Sequence, residues 1–151
     1  MADAGPAKQK LIVLAKTVAA RFQLAPELVC AVVEQESNWN PWAIRYEPRF
    51  FAKYIAGMYT NNKIGATEAY ARAFSWGLMQ LMGEDARELG ADLAFLSQLC
   101  DPETNLSLGC EWLFRDLKNA KGDVTAALLA WNGGGNPAYA AEVLARQEKY
   151  R

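Results

Sequence analysis

The sequence predicts a mainly α-helical chain that folds as a single domain over residues 1–151. Apolar residues recur at helical spacing through most of the chain, and no long run alternates apolar and polar residues as an exposed strand does. With 151 residues, of which 52% are hydrophobic, the chain is long enough to bury one core. We expect about eight helices, with room for a small irregular or β-hairpin segment.

The first half of the chain is predicted to form two long helices and then several short ones. Apolar periodicity places the first helix at about Ala7 to Phe22. Pro26, at a first-turn position, opens the second helix, and Asn40-Pro41 ends it. The aromatic-rich stretch that follows, up to Ser75, is expected to form short helices. Its breaks are expected at turn-forming residues: Gly57 and Asn61-Asn62.

The second half contains clearer helix signals. Asp101-Pro102 reads as an N-cap followed by proline at the first helical position. Lys121-Gly122-Asp123 ends that helix and begins the next, which stops at Gly133-Gly134-Gly135. Asn136-Pro137 then caps a final helix that runs to about Gln147. The apolar side of the helix after Asp101 consists of Leu106, Cys110, Leu113 and Leu117.

Composition excludes several classes of function. The formal charge of -1 and the lack of a basic run argue against binding to nucleic acid or to anionic lipid. The apolar runs are too short for membrane insertion, and the segment from Met1 to Lys8 lacks the pattern of a secretion signal. The chain contains no histidine, which excludes Ser-His-Asp and Cys-His catalysis and His-containing metal sites. We therefore expect carboxylates to perform acid-base chemistry, without a metal or organic cofactor.

Three cysteines are too few and too widely spaced for a zinc site. Cys30 is expected to pack as a small apolar residue. Cys100 and Cys110 are expected to lie close enough to form a disulfide, while reduced and separately buried thiols are the default for a chain made in the cytosol.

Glu36 is the first candidate for acid catalysis. At about 100° per residue, it falls on the helix face formed by Val29, Val32 and Val33, and Glu34 points nearly the opposite way. A buried carboxylate either has a partner or stays protonated, because an isolated charge is costly to bury. The alternative is a structural carboxylate that caps a neighbouring helix or pairs with Arg45.

Three segments together resemble a known family: residues 36–41 (ESNWNP), residues 75–82 (SWGLMQLM) and residues 130–134 (AWNGG). Their order and spacing resemble the lytic transglycosylase catalytic domain of the soluble type, which is related to goose-type lysozymes and to phage endolysins. The resemblance is strongest over residues 24–144. It implies a lysozyme-like fold and cleavage of peptidoglycan glycan strands.

The resemblance also implies roles for individual residues. Glu36 matches the single catalytic acid/base, and Ser37 matches a hydroxyl that contacts substrate or orients the carboxyl. Asn132 matches an asparagine that helps to fix the muramoyl unit. The family usually has tyrosine at the position of Trp131, so a hydroxyl able to hydrogen-bond the catalytic carboxyl is missing there. The strip expected to line the cleft consists of Gly77, Leu78, Met79 and Gln80, and Met79 and Gln80 are expected to meet the sugars.

Each of these residues also has a structural alternative. Ser37 could terminate its helix, Asn132 could start the glycine turn, and residues 77–80 could form a turn with core side chains. Trp131 suits core packing as well as a sugar platform. Glu47 lies between two arginines, which suggests a salt bridge, but it could also be a second active-site carboxylate. Its competitors for that role are Glu84, Asp85 and Asp101, of which Asp101 is better explained as a cap.

The expected function is cleavage of the β-1,4 bond between N-acetylmuramic acid and N-acetylglucosamine, with formation of 1,6-anhydromuramic acid. The alternatives are a hydrolytic muramidase that uses a second carboxylate such as Glu47, and a non-catalytic wall-binding or virion structural protein. We expect a monomer that is made in the cytoplasm and acts on the cell wall. It would be released by a partner such as a holin, be carried by a virion, or be a domain of a longer protein.

Overall fold

The structure is a computed structural model that describes residues 5–151, so residues 1–4 of the opening segment lie outside the described part. The α-helices are α1 (Pro6–Arg21), α2 (Pro26–Ser37), α3 (Pro48–Phe50), α4 (Ala56–Thr60), α5 (Ala66–Arg72), α6 (Gly83–Glu88), α7 (Pro102–Asn119), α8 (Val124–Trp131) and α9 (Tyr139–Gln147). A π-helical turn covers Phe51–Ile55, and 3₁₀ turns cover Leu96–Cys100 and Glu148–Tyr150. The prediction of a mainly helical fold is confirmed.

A small antiparallel sheet interrupts the helices. Its strands are β1 (Ile44–Tyr46), β2 (Phe74–Trp76) and β3 (Leu81–Met82), in the order β1-β2-β3. Ser75 pairs with Arg45 on one side and with Met82 on the other. The turn between β2 and β3 therefore contains the whole strip from Gly77 to Gln80 that was expected to line a cleft.

The main core is built around α2. Six consecutive residues of this helix, from Leu28 to Val33, are buried, so α2 is covered on every side rather than on one face. It packs against α1 and α9, and the same cluster includes residues of α7 and α8. Burying a side chain such as valine or leucine contributes about 1.5–3 kcal/mol, so this cluster is a large part of the stability. The face formed by Val29, Val32 and Val33 is therefore only part of the buried surface of this helix.

The helix boundaries follow the local signals with three exceptions. Asp101 and Asp123 cap α7 and α8 by accepting backbone N–H groups, as predicted. The second helix ends at Ser37, because Asn38 adopts a left-handed conformation (φ 48°), and not at Asn40-Pro41. Gly57 lies within α4 rather than at a break. The last α-helix begins at Tyr139 rather than directly after Asn136-Pro137, and the side-chain oxygen of Asn136 accepts the backbone N–H of Ala138 in the turn before it.

All three cysteines are free, which agrees with the default of reduced thiols, and the disulfide considered between Cys100 and Cys110 is not formed. Cys110 lies instead in the same core cluster as Cys30, and burial raises the pKa of both thiols to about 12. Across residues 5–151, every helix is too short or too polar to span a lipid bilayer.

Candidate active site

The ends of three helices meet at the carboxyl group of Glu36, which lies in the last turn of α2. Its Oε1 accepts a hydrogen bond from the hydroxyl of Tyr139 at 2.5 Å and another from the indole N–H of Trp131 at 3.1 Å. Trp131 is the last residue of α8 and Tyr139 is the first residue of α9. The pairing with Arg45 that was considered above is not made, because Arg45 bonds Glu47.

The surroundings of Glu36 favour its neutral form. Burial raises its pKa, and this effect outweighs the hydrogen bonds from Tyr139 and Trp131 and the charge of Arg45, all of which lower it. Burial beside the Glu36 carboxyl also raises the pKa of Tyr139, so this residue remains a hydroxyl donor. A carboxyl with a raised pKa keeps its proton to a higher pH than a free glutamate does, which suits general acid catalysis.

The strip between β2 and β3 is held in place by Asn105 of α7. The amide of Asn105 donates to the carbonyl groups of Trp76 and Leu99, and its oxygen accepts the N–H of Met79 at 2.8 Å. Gly77 has a left-handed backbone (φ 69°), and a Cβ there would lie 2.5 Å from the Leu99 carbonyl oxygen. Only glycine fits this position.

The side chains of the strip do not all face a cleft. Leu78 and Met79 are completely buried, and Met79 packs against Gly109 of α7. These two side chains therefore face the core, and a contact of the strip or of Met79 with sugars stays a prediction. The amide of Gln80 bonds the carbonyl groups of Ala43 and Gly77 and accepts from Ser75, which positions the turn.

Ser37 and Asn132 make structural hydrogen bonds. The hydroxyl of Ser37 donates to the Leu78 carbonyl at 2.8 Å and thereby joins α2 to the strip. In the amide orientation that satisfies both of its groups, the Asn132 oxygen accepts the N–H groups of Gly135 and Asn136. Both contacts fit the structural alternatives, and a contact with substrate stays a prediction for each residue.

The four candidates for a second carboxylate have different surroundings. Glu47 bonds Arg45 at 2.5 Å, and Glu84 bonds Arg72 at 3.4 Å. Asp101 caps α7 through Thr104, as predicted. Asp85 differs from these three because, within residues 5–151, no hydrogen bond or salt bridge reaches its carboxylate, and it lines a small hollow beside Trp131.

Sequence reasoning missed Tyr139 and Asn105. Tyr139 supplies the hydroxyl that the sequence lacks at position 131, but from the next helix, and only tertiary packing brings it to Glu36. Asn105 lies on the core side of α7, where a fully buried asparagine must find hydrogen-bond partners. Its position next to Leu106, on the apolar side of the predicted helix, was the sequence signal that could have indicated a buried asparagine.

Comparison with known proteins agrees with this geometry. The profile of the Transglycosylase SLT domain family matches residues 14–150. The chain is 34% identical over 119 residues to a protein named Transglycosylase from Enterobacteria phage PRD1, a match that covers 79% of this chain and 33% of that protein. The chain thus spans about a third of the length of this relative. No solved structure matches the chain significantly. The resemblance noted from three short segments is confirmed, and the chain belongs to the transglycosylase SLT domain family.

Proposed function

We propose that this chain is a peptidoglycan lytic transglycosylase in which Glu36 is the single catalytic acid/base. The observation that carries the proposal is the environment of Glu36, a partly buried carboxyl with a raised pKa that two neutral donors orient. Membership of the family and the printed name of the phage relative support the type of reaction. The substrate is the β-1,4 bond between N-acetylmuramic acid and N-acetylglucosamine.

In the first step Glu36 protonates the leaving glycosidic oxygen. Tyr139 and Trp131 both donate to Oε1, and within residues 5–151 no side chain bonds Oε2. Oε2 is therefore the oxygen that carries the acidic proton. Protonation lets the bond between C1 of the muramic acid and the leaving oxygen break, and the ionised carboxylate that results is stabilised by the two donors.

In the second step the ionised Glu36 takes the proton of the C6 hydroxyl of the same muramic acid. The C6 oxygen then bonds C1 and closes the 1,6-anhydro ring. One proton leaves Glu36 and one returns, so the enzyme is restored without consuming water. A second carboxylate is not required.

The state of Glu47 supports this reaction over hydrolysis. A hydrolytic muramidase commonly needs a second carboxylate as nucleophile or as base for water. Glu47, the first candidate for that role, is held in an ion pair with Arg45.

Digestion of purified peptidoglycan tests the proposal. We expect soluble products that end in 1,6-anhydromuramic acid when mass spectrometry is applied without prior reduction. A digest of the same walls by a hydrolytic muramidase provides the reference, because its products carry reducing ends and the added mass of water. Reducing ends from this chain would show hydrolysis, and Glu47→Gln would then be the variant to examine.

A further inference from the structure

Asn105 has an unusual position for a polar side chain. It lies near the start of α7, and between residues 5 and 151 it is the one polar side chain that is completely buried. Its Nδ2 donates to the carbonyl groups of Trp76 at 2.7 Å and Leu99 at 2.9 Å, and its Oδ1 accepts the backbone N–H of Met79 at 2.8 Å. Such an amide stabilises one arrangement of the backbone around it, because a buried partner left unsatisfied is costly.

The turn between β2 and β3 fits closely against this amide. Its bonds to Trp76 and Met79 hold the chain on both sides of Gly77 and Leu78. A Cβ at Gly77 would lie 2.6 Å from Nδ2 of Asn105, so the missing side chain lets the amide reach the turn. The position of the turn therefore depends on Asn105.

The carbonyl group of Leu78 connects this turn to the Glu36 site. It accepts the hydroxyl of Ser37 at 2.8 Å, and Ser37 is both the last residue of α2 and the neighbour of Glu36 in sequence. The chain leaves the helix directly afterwards, since Asn38 has a left-handed backbone (φ 48°). The end of α2 that carries the acid is thus attached, through Ser37, to the turn that Asn105 holds.

We propose that Asn105 is a positioning residue for the acid: it fixes the turn between β2 and β3, and this turn, through Ser37, fixes the Glu36 carboxyl between its two donors. The inference rests on the proposed function, in which Glu36 transfers the protons. Asn105 itself is completely buried and inaccessible to substrate, so it acts only through the turn. Such positioning matters because a displacement of about 1 Å at a reacting group can slow a reaction by about 100-fold.

Alanine variants at the two ends of this connection test the proposal. Asn105→Ala removes the bonds to the turn, and Ser37→Ala removes the bond to the Leu78 carbonyl. The control is Ile55→Ala, because Ile55 is completely buried in a separate apolar cluster and its truncation costs stability without removing a bond to the turn. Digestion of purified cell walls over a range of wall concentrations separates kcat from KM, at a temperature at which thermal melting shows each variant to be folded.

We expect both variants to lower kcat by about 10-fold or more with little change in KM, since the acid is misplaced while the substrate still binds. The double variant should be little slower than the slower single variant, because both substitutions break the same connection. Carbon NMR titration of the Glu36 carboxyl, identified by its absence in Glu36→Gln, is a second measurement that needs no activity. Displacement from Tyr139 and Trp131 should raise the pKa of Glu36 in both variants, whereas Ile55→Ala should keep the kcat and this pKa of the parent.

The proposal is overturned if either folded variant keeps the kcat and the Glu36 pKa of the parent, or if the two losses multiply fully in the double variant. Ser37→Ala, at the half-buried end of the connection, decides the matter even where Asn105→Ala fails to fold. In that variant a higher KM with an unchanged kcat would assign Ser37 to substrate contact and overturn the proposal as well. If the parent digests no walls but the pKa of Glu36 shifts in the variants, the proposed function fails and the positioning role stands. If the parent digests walls and neither variant changes kcat or this pKa, the reverse holds.

Discussion

Glu34 and Glu36 lie two residues apart on α2, yet their surroundings shift their pKa values in opposite directions. Burial is the largest influence on both and raises both pKa values. At Glu34 it is outweighed by hydrogen bonds from Lys149 and Tyr150 and by the charges of Lys149 and Arg146. At Glu36 the hydrogen-bond donors, Tyr139 and Trp131, are neutral.

The comparison shows which property separates a structural carboxylate from a candidate acid. Both groups accept hydrogen bonds from an aromatic residue, and the Glu34 side chain is only 12% exposed. The difference is a cation within hydrogen-bond distance, which among residues 5–151 is present at Glu34 and absent at Glu36. Neutral donors orient a carboxyl without forcing it to ionise, whereas cations hold it ionised.

The largest difference between the two glutamates should be seen in activity. Glu36→Gln is expected to slow the solubilisation of cell walls by about 10²–10⁴-fold, the usual contribution of a general acid. Glu34→Gln should retain most of the activity because its carboxylate lies in an ion-pair cluster away from the two donors. Turbidity loss of purified walls measures both variants. Equal losses in two folded variants would contradict the assignment.

The hydroxyl groups of Tyr139 and Tyr150 allow a matched test of pKa control. Tyr139→Phe removes a hydrogen bond that lowers the pKa of Glu36, so this pKa should rise further and the alkaline limb of the pH–rate profile should move to higher pH. Loss of the orienting bond should also lower kcat/KM by about 10-fold. Tyr150→Phe, which affects Glu34, should leave the limb in place. An unchanged profile in Tyr139→Phe would mean that Glu36 does not titrate in catalysis.

Stability should respond most to Glu34. Glu34→Gln should reduce the free energy of unfolding near pH 7 by about 1 kcal/mol, because it breaks bonds to partly exposed cations. The folded pKa of Glu34 is lowered, so its stabilising contribution is present above the unfolded value of 4.5 and is lost as the pH falls through the folded pKa. Urea unfolding should therefore show a larger defect near pH 7 than near pH 3.

The stability effect of Glu36→Gln should have the opposite sign and be smaller. The folded pKa of Glu36 is raised, so the native protein loses stability as the pH rises from 4.5 through the folded pKa. The glutamine variant should melt at a higher temperature than the parent near pH 7, and this advantage should shrink toward pH 4. Tyr139 and Trp131 limit the effect because they donate to the ionised form. A variant that is less stable at pH 7 would show that Glu36 is well paired when ionised.

Features that depend on neighbours in sequence were predictable. Asp101 and Asp123 accept hydrogen bonds from backbone N–H groups of the helices that they begin, so such an N-cap can be predicted from a few neighbouring residues. The order of three short motifs also indicated the family, which the match over residues 14–150 confirms. The strands of two or three residues were beyond such reasoning, since so short a segment shows no alternation.

Features that depend on tertiary packing could not be predicted. A prediction from helical periodicity assumes that one side of the helix is exposed to solvent. Helix α2 is instead covered by protein on every side, so Glu34 and Glu36 at its polar end lie in two different protein environments. The hydroxyl for Glu36 comes from Tyr139, more than 100 residues away in sequence. The family resemblance placed Met79 at the sugars, and the sequence did not indicate that its side chain fills the space left by the missing side chain of Gly109.

Because two of its thiols are buried, the unfolding of this protein can be followed by the chemical labelling of its own cysteines. Cys30 and Cys110 are inaccessible in the folded state, and their raised pKa values leave almost no reactive thiolate at neutral pH. Cys100 is only partly buried. A thiol reagent should therefore modify Cys100 through local fluctuations of the folded protein. It should modify Cys30 and Cys110 only when α2 and α7 separate. The slow phase of labelling then reports the rate or the equilibrium of global unfolding, without an engineered label.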